Sequence, residues 1–302
     1  MDLRVLQYFL AVAKEGNITR AADALHLTQP TLSRQLKELE EELGVVLFDR
    51  GNRKISLTDA GVLFQQRAAE LVALLDKTRR ELSEQEDLLG GVVSIGCVES
   101  KASLLLPGLL SAFHKEYPQV RYDLYSAIGD DIKEKLDRGV LDLGILIEPV
   151  EVAKYDYRRL PVRDRWGVVL TCGHPLAEKG EISLDQLARL PLNLPRREIV
   201  QEEISSWFAG QGPKLQALHY HSLLTNSLPL AQAGDAYPLC VEGAYTIRPT
   251  PGLTFVPIAP ERAVGHVLAW KKNRLFSRAT DRFIRFFMEY ISGMEDADEE
   301  AS

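Results

Sequence analysis

The sequence predicts an α/β multidomain protein: a winged helix-turn-helix at the amino end, a long linking helix, then a two-lobed α/β domain. Three observations carry this. Residues 18–43 (ITRAADALHLTQPTLSRQLKELEEEL) hold two short amphipathic helices whose break suits only a tight turn. Residues 58–89 form a long helical stretch with apolar or small positions alternating four and three apart. After Gly90-Gly91 the period changes, and buried-type strands alternate with helices.

The first helix of the pair buries Ile18, Ala21, Ala22 and Leu25, and the second buries Leu32, Leu36, Leu39 and Leu43. Small Ala21, Ala22 and Ala24 let the two approach closely. Thr28 is placed to cap the second helix, and Pro30 sits in its first turn, where a missing N–H costs nothing. The second helix turns Gln29, Pro30, Thr31, Ser33, Arg34 and Lys37 outward, with no carboxylate before Glu38. A DNA major groove accepts such a face, because Arg and Gln reach base edges while Ser, Thr and Lys reach phosphates. A solvated helix pair in an all-α domain is the competing reading. The next segment weighs against it: residues 47–57 (LFDRGNRKISL) read as two short strands around Gly51-Asn52, with Arg50, Arg53 and Lys54 at the tip. A basic hairpin just after a recognition helix is a wing, suited to touching backbone phosphate beside the groove.

These residues together resemble one family, the LysR-type transcriptional regulators. The resemblance is carried by Leu6, Phe9, Ala13 and Gly16, then Ala21, Ala22 and Leu25, then TQPTLSRQLKELEEELGVVLFDR, then LTDAG at 57–61. It is dense over roughly sixty residues and extends more weakly over nearly the whole chain. It implies a bacterial homo-oligomer, usually a tetramer, with an effector-sensing carboxy-terminal domain and RNA polymerase as a further candidate partner. It also implies that Thr28, Gln29, Pro30, Thr31, Ser33, Arg34 and Lys37 lie in or beside the major groove, with Arg50 and Arg53 in the wing.

Composition bounds the reading. A chain of 302 residues suits two or three units, since domains mostly run ~100–200 residues. Its 45% apolar content is ordinary for a globular protein. No stretch approaches a membrane span, and no signal-peptide pattern opens the chain, so a cytoplasmic location is expected. The net charge of −7 argues against nucleic acid taken globally. Distribution reverses that argument, because the DNA-facing positions are cationic while Glu38 and Glu40–Glu42 gather at the far end of their helix. Cys97, Cys172 and Cys240 are widely spaced, with no ligand spacing for a metal. A redox role for Cys97 is weaker than a packed, inert thiol.

The expected boundaries are 1–58 for the DNA-binding domain, 59–89 for a linker helix, 91–293 for the two-lobed domain and 294–302 for an acidic, disordered tail. Phe64, Ala68, Leu71, Leu75, Thr78, Leu82, Gln85 and Leu89 form a seam, imperfect at Thr78 and Gln85. About 32 residues make a rod of roughly 48 Å. Such a rod outruns the small domain before it, so a second copy is its natural partner. The homodimer would present two recognition helices to the half-sites of a promoter dyad.

Beyond the linker, strands are expected at 92–97, 121–125, 141–147, 166–171, 191–194, 215–220 and 236–240, with two more in TFVPI and VGHVLAW. Helices fall at 104–117, 131–138, 200–209, 223–233 and 277–291. The two halves share one layout, lobe I at 91–162 and 267–293 and lobe II at 163–266. They look like a periplasmic-binding-protein-like sensor, which the family also has.

A crevice at the carboxyl ends of the strands is the expected effector site. Ser100, Lys101 and Ser103 open a helix there, and hydroxyls and free N–H groups at such an end attract an anion. In the family, positions matching Ser100 and Ser103 commonly touch the effector. Ile128, Gly129 and Glu148 follow other strands, and Asn193, Arg196, Thr225 and Asn226 come from the second lobe. Together they outline a polar pocket for a small anion or carboxylate. Each alone has a bland alternative: Ser100 and Ser103 as plain caps, Arg196 as a surface partner of Glu198. Glu99 and Glu148 would oppose an anion if they point inward.

Enzyme readings find no support. There is no G-x-S-x-G, no glycine-rich phosphate loop, no H-E-x-x-H and no carboxylate pair tied to a His. No catalytic residue, metal or cofactor is expected. The function expected is sequence-specific DNA binding modulated by a small-molecule effector. A solute-binding sensor without direct DNA readout is the alternative, favoured by the lobes and disfavoured by the winged segment.

Overall fold

A computed structural model describes residues 2–50, 55–82, 89–151, 153–208, 215 and 217–300. It divides into two units, Met1–Ser83 and Glu84–Ser302.

The first unit begins with α1 (Leu3–Glu15), α2 (Ile18–Ala24) and α3 (Gln29–Leu43). Asp2 and Asn17 cap α1 and α2 through their side chains, and Gly16 and Gly44 end α1 and α3 in the left-handed region. Strands β1 (Phe48–Arg50) and β2 (Ile55–Leu57) pair antiparallel, and α4 runs Asp59–Leu82. The core gathers Leu6, Phe9, Val12, Ala21, Ala22, Leu32, Leu36, Leu39, Leu47, Phe48 and Ala68. Leu43, expected inside, stands 36% exposed because the helix ends there at Gly44. The Glu40 carboxylate turns back to accept the N–H groups of Leu47 and Phe48, at 2.8 and 3.1 Å. Thr58 caps α4 by accepting from Gly61 N, and a Cβ at Gly61 would lie 2.1 Å from the Leu47 carbonyl oxygen. Only glycine permits that approach.

The seam expected along the linker divides in use. Ala68 is fully buried, with Phe64 and Val72 packed beside it, all within the first unit's own core. The reason is geometric: three short helices leave one face of Phe9 open, and Phe64 closes it edge-on at 4.9 Å. Among the described residues, Val62, Leu63, Leu71 and Leu74 are large exposed apolar side chains of α4. Leu82's side chain and Gln85 lie outside the described residues, and Leu89 packs on the core of the second unit.

The second unit holds β3 (Gly91–Cys97), α5 (Leu105–Glu116), β4 (Val120–Ser126), α6 (Gly129–Asp137), β5 (Leu143–Ile147) and β6 (Tyr155–Thr171). There follow β7 (Ile182–Ser183), α7 (Leu184–Leu187), β8 (Leu192–Pro195), α8 (Glu198–Ser206) and β9 (Ala217–His221). The chain continues through α9 (Leu228–Ala233), β10 (Tyr237–Val241), α10 (Glu242–Thr246), β11 (Leu253–Ala259), β12 (Ala263–Lys271) and α11 (Arg278–Glu300). The sheet order is β4-β3-β5-β12-β6-β10-β8-β9, with β11 on β6 and β7 on β11. Within each half the leading strands are parallel: β4, β3 and β5 in one, β10, β8 and β9 in the other.

Strand β6 joins the halves. Its first part pairs β12, and its last residues, from Trp166, pair β10 and β11. Sequence pattern locates only 166–171, because YDYRRLPVRDR is charged and contains Pro161. That proline falls where the register with β12 shifts, between the Leu160–His266 and Arg163–Gly265 partners, so no ladder hydrogen bond is lost. Phe113, Phe283 and Phe287 fill one face of lobe I, and Ile132 and Leu136 the other. Lobe II packs around Val168, Leu170, Leu192, Ile204 and Leu239. The acidic tail, expected to lack structure, continues α11 to Glu300; Met, Glu and Ala favour helix and no proline interrupts them.

Candidate nucleic-acid interface and effector cleft

Helix α3 presents Thr28, Gln29, Pro30, Thr31, Arg34 and Lys37 to solvent, with Ser33 half-buried at the edge of the same face. Thr28 occupies the capping position, but its hydroxyl meets Thr31 Oγ1 at 2.8 Å and not a backbone N–H. The expected side-chain cap is therefore absent, which leaves the Gln29 and Thr31 N–H groups for an outside acceptor. Arg34 lies 3.6 Å from Glu38 and Lys37 3.4 Å from Glu41, both pairs well exposed. Exposed pairs one turn apart are worth only about 0.3–0.5 kcal/mol, so a phosphate or base edge displaces them at little cost. Arg50 has its backbone in β1; Arg53 and Lys54 lie outside the described residues.

In the second unit a cleft of about 110 Å³ opens between the lobes. Its walls come from segments at or just past the carboxyl ends of strands: Val98 and Glu99, Ala127 to Gly129, Ile147 to Pro149, Pro195 to Arg197, His221 to Leu224, and Cys240 to Val241. Trp166 of β6, Ala244 of α10, and Ile199, Val200 and Glu203 of α8 complete it. Most of these side chains are apolar.

The polar groups of the lining are largely engaged. The Arg197 guanidinium reaches from lobe II to Asp130 on α6 with two hydrogen bonds, at 3.0 and 2.8 Å, and holds that carboxyl below its usual range. Arg197 also covers Gly129, where a Cβ would meet its Nη1 at 3.0 Å. The Glu99 carboxylate accepts the Leu224 N–H at 3.1 Å, and Glu148 pairs with Arg159 at 2.9 Å. His221 faces Asn193 Oδ1 at 3.2 Å, and burial pushes its pKa down to about 4, so the ring is neutral. Burial raises the carboxyl of Glu203, which has no ion pair or side-chain hydrogen bond among the described residues.

Of the effector residues expected from sequence, Ile128, Gly129, Glu148 and Arg196 line this cleft. Ser100, Lys101 and Ser103 do not. The turn they open does hold an anion, but it is the protein's own Asp164. That fully buried carboxylate accepts Lys101 N at 2.8 Å and Gly243 N at 2.9 Å. The Lys101 ammonium is spent on Glu242, which also takes two hydrogen bonds from Arg165. Ser103 Oγ donates to the Ser100 carbonyl, and Ser100 itself is completely buried. Asn193 sits behind His221, and Thr225 and Asn226 are exposed on a turn beyond the cleft wall. Sequence reasoning did not single out Trp166, Arg197 or Glu203. The Arg196-Arg197 doublet after a strand end was the available signal for one of them.

Cys97 is buried, its pKa pushed up to about 12 by desolvation, and its Sγ rests 3.3 Å from the Val98 carbonyl oxygen. That is a packed thiol, not a reactive one. Among the described residues no cluster of His, Cys, Asp and Glu could hold a metal ion, and no helix is long and apolar enough to cross a membrane.

Comparison with known proteins agrees with this geometry. Residues 3–62 match the bacterial regulatory helix-turn-helix proteins of the lysR family, and residues 86–292 match the LysR substrate binding domain. The Hca operon transcriptional activator HcaR of Escherichia coli is 33% identical over 302 residues, spanning 97% of this chain and 99% of HcaR. The HTH-type transcriptional regulator YtlI of Bacillus subtilis is 31% identical, over 72% of this chain and 71% of its own. Among solved structures, full-length CbnR complexed with its target DNA is 26% identical, with a TM-score of 0.73 over 95% of this chain and 98% of CbnR. Two domain matches in the family's order, and an end-to-end relative at a third identity, place this chain in the LysR family of transcriptional regulators, with a DNA-binding helix-turn-helix and an effector-binding domain.

Proposed function

We propose that the chain regulates transcription by reading a promoter dyad with α3 and β1–β2, and that occupancy of the interlobe cleft changes this binding. The cleft carries the proposal, because it collects the strand ends of both lobes around one half-open, mostly apolar space. A ligand there acts only through its differential affinity for two lobe arrangements. The Arg197–Asp130 and Glu99–Leu224 contacts are the links such a ligand would tighten or break.

Contacts to DNA are assigned to Thr28, Gln29, Pro30, Thr31, Ser33, Arg34 and Lys37, with Arg50, Arg53 and Lys54 on phosphate. The exposed Val62, Leu63, Leu71 and Leu74 of α4 support a homodimer through that helix, and a tetramer built from two such dimers. A cytoplasmic, non-enzymatic protein that works beside RNA polymerase fits this role. The test is a gel shift on the promoter-proximal dyad with and without a cleft ligand found by thermal-shift screening. Ser222→Trp, at an exposed position of the cleft wall, should abolish the ligand's effect on the shift. A ligand effect that survives this filling would refute the cleft as the sensor.

A further inference from the structure

The chemistry of the cleft wall narrows its ligand, on the reading that this cleft is the effector site. An anion needs a cation or several free N–H groups. Most of those nearby are committed, and the buried Trp166 indole N–H is a single neutral donor left unpartnered among the described residues of the lining. Arg197 is held by Asp130, Lys101 by Glu242, and the N–H groups of Lys101 and Gly243 by Asp164. Arg196 lines the cleft but is exposed, so water already solvates it. The lining itself carries three carboxylates, Glu99, Glu148 and Glu203. Glu99 and Glu148 have partners in Leu224 N and Arg159.

Glu203 differs. It is half-buried, it borders both the cleft and an outer groove containing Arg159 and Arg163, and no cation stands within ion-pair distance among the described residues. Burial raises its pKa, the mark of a carboxylate lacking compensation. A partly desolvated carboxylate without a partner is costly, and a ligand that brings a donor relieves the cost. A ligand carboxylate would instead add a like charge to the same wall.

We infer that the cleft selects a small apolar-bodied molecule, of single-ring size, whose cationic or hydrogen-bond-donating head group is received by the Glu203 carboxylate. The cavity, about 110 Å³, is smaller than the roughly 150 Å³ of a closed apolar cavity that takes up benzene, but it is half-open, so a single ring fits with one edge toward the cleft mouth. Val98, Ile128, Ile147, Val200 and Leu223 supply the apolar walls. An ammonium or a phenol-type hydroxyl at Glu203 completes the hydrogen bonding.

Titration calorimetry on the full chain with benzylamine, benzyl alcohol and benzoate tests this, since the three share one body and differ in head group. Benzylamine should bind at least tenfold more tightly than benzoate, with benzyl alcohol between them. Glu203→Gln should erase the amine's advantage over the alcohol, with thermal unfolding checking that the variant is folded. Benzoate binding as well as or better than benzylamine overturns the assignment, as does an amine preference that survives Glu203→Gln or no amine binding at all. Ser222→Trp separates the two levels of the argument. Benzoate binding that this variant abolishes keeps the cleft and discards the head-group class, whereas amine binding indifferent to it discards the cleft as well.

Discussion

The buried carboxylate of Asp164 receives the backbone N–H of Lys101, 63 positions earlier, at 2.8 Å. With its other oxygen it receives Gly243 N at 2.9 Å, so one side chain on the shared strand ties the first turn of lobe I to α10 of lobe II. Gly243 is required there, because a Cβ would fall 1.8 Å from Lys101 N. The turn where an anionic effector was expected thus receives the protein's own Asp164, which joins the lobes.

Asp164→Ala should destabilise the second unit, at about 1–3 kcal/mol for each stranded donor. Urea unfolding followed by the combined fluorescence of Trp166, Trp207 and Trp270, all in the second unit, measures it. A midpoint unchanged from the parent protein would show that the joint contributes nothing.

Arg34→Ala should weaken dyad binding by ~1–3 kcal/mol and relax preference at one base position. Lys37→Ala should weaken all sequences alike and lower the salt slope by ~0.9 if it neutralises one phosphate. Gel shifts at several salt concentrations separate these effects. Parental affinity in Arg34→Ala would mean that another face of α3 meets DNA.

Gly61→Ala places a methyl 2.1 Å from the Leu47 carbonyl oxygen, and the backbone must move. Overpacking of this kind costs typically 1–3 kcal/mol. DNA affinity should fall while calorimetric binding in the cleft persists. Loss of both would contradict a division of labour between the units.

Stability should decline with acid in a window set by His221. Its pKa is about 4 folded against 6.5 unfolded, so between these values the unfolded chain holds the extra proton. Stability is therefore complete above about pH 6.5 and falls as pH drops toward 4. His266, also depressed by burial, adds in the same direction. His221→Gln should flatten part of this dependence in urea titrations from pH 7 to 4.5; an unchanged profile would assign the acid sensitivity elsewhere.

The DNA-binding unit was legible in sequence because its determinants are local. Helical spacing named Leu32, Leu36 and Leu39 as core and left Arg34 and Lys37 outside, where they stand. The strand-helix alternation likewise announced two α/β lobes. Local pattern failed where charge and proline obscured β6, and where Phe64 and Ala68, read as seam, proved to belong to their own domain's core.

By itself the sequence determined what each segment is, since periodicity, caps and turn residues act over a few positions. Only the tertiary structure decided which polar groups remain for a ligand. Asp164 takes the N–H groups that sequence offered to an anion, Asp130 takes Arg197 from 67 positions away, and Glu203 and the Trp166 indole N–H are left over. Pairing between charges is settled by distance in space, and chain order does not encode it.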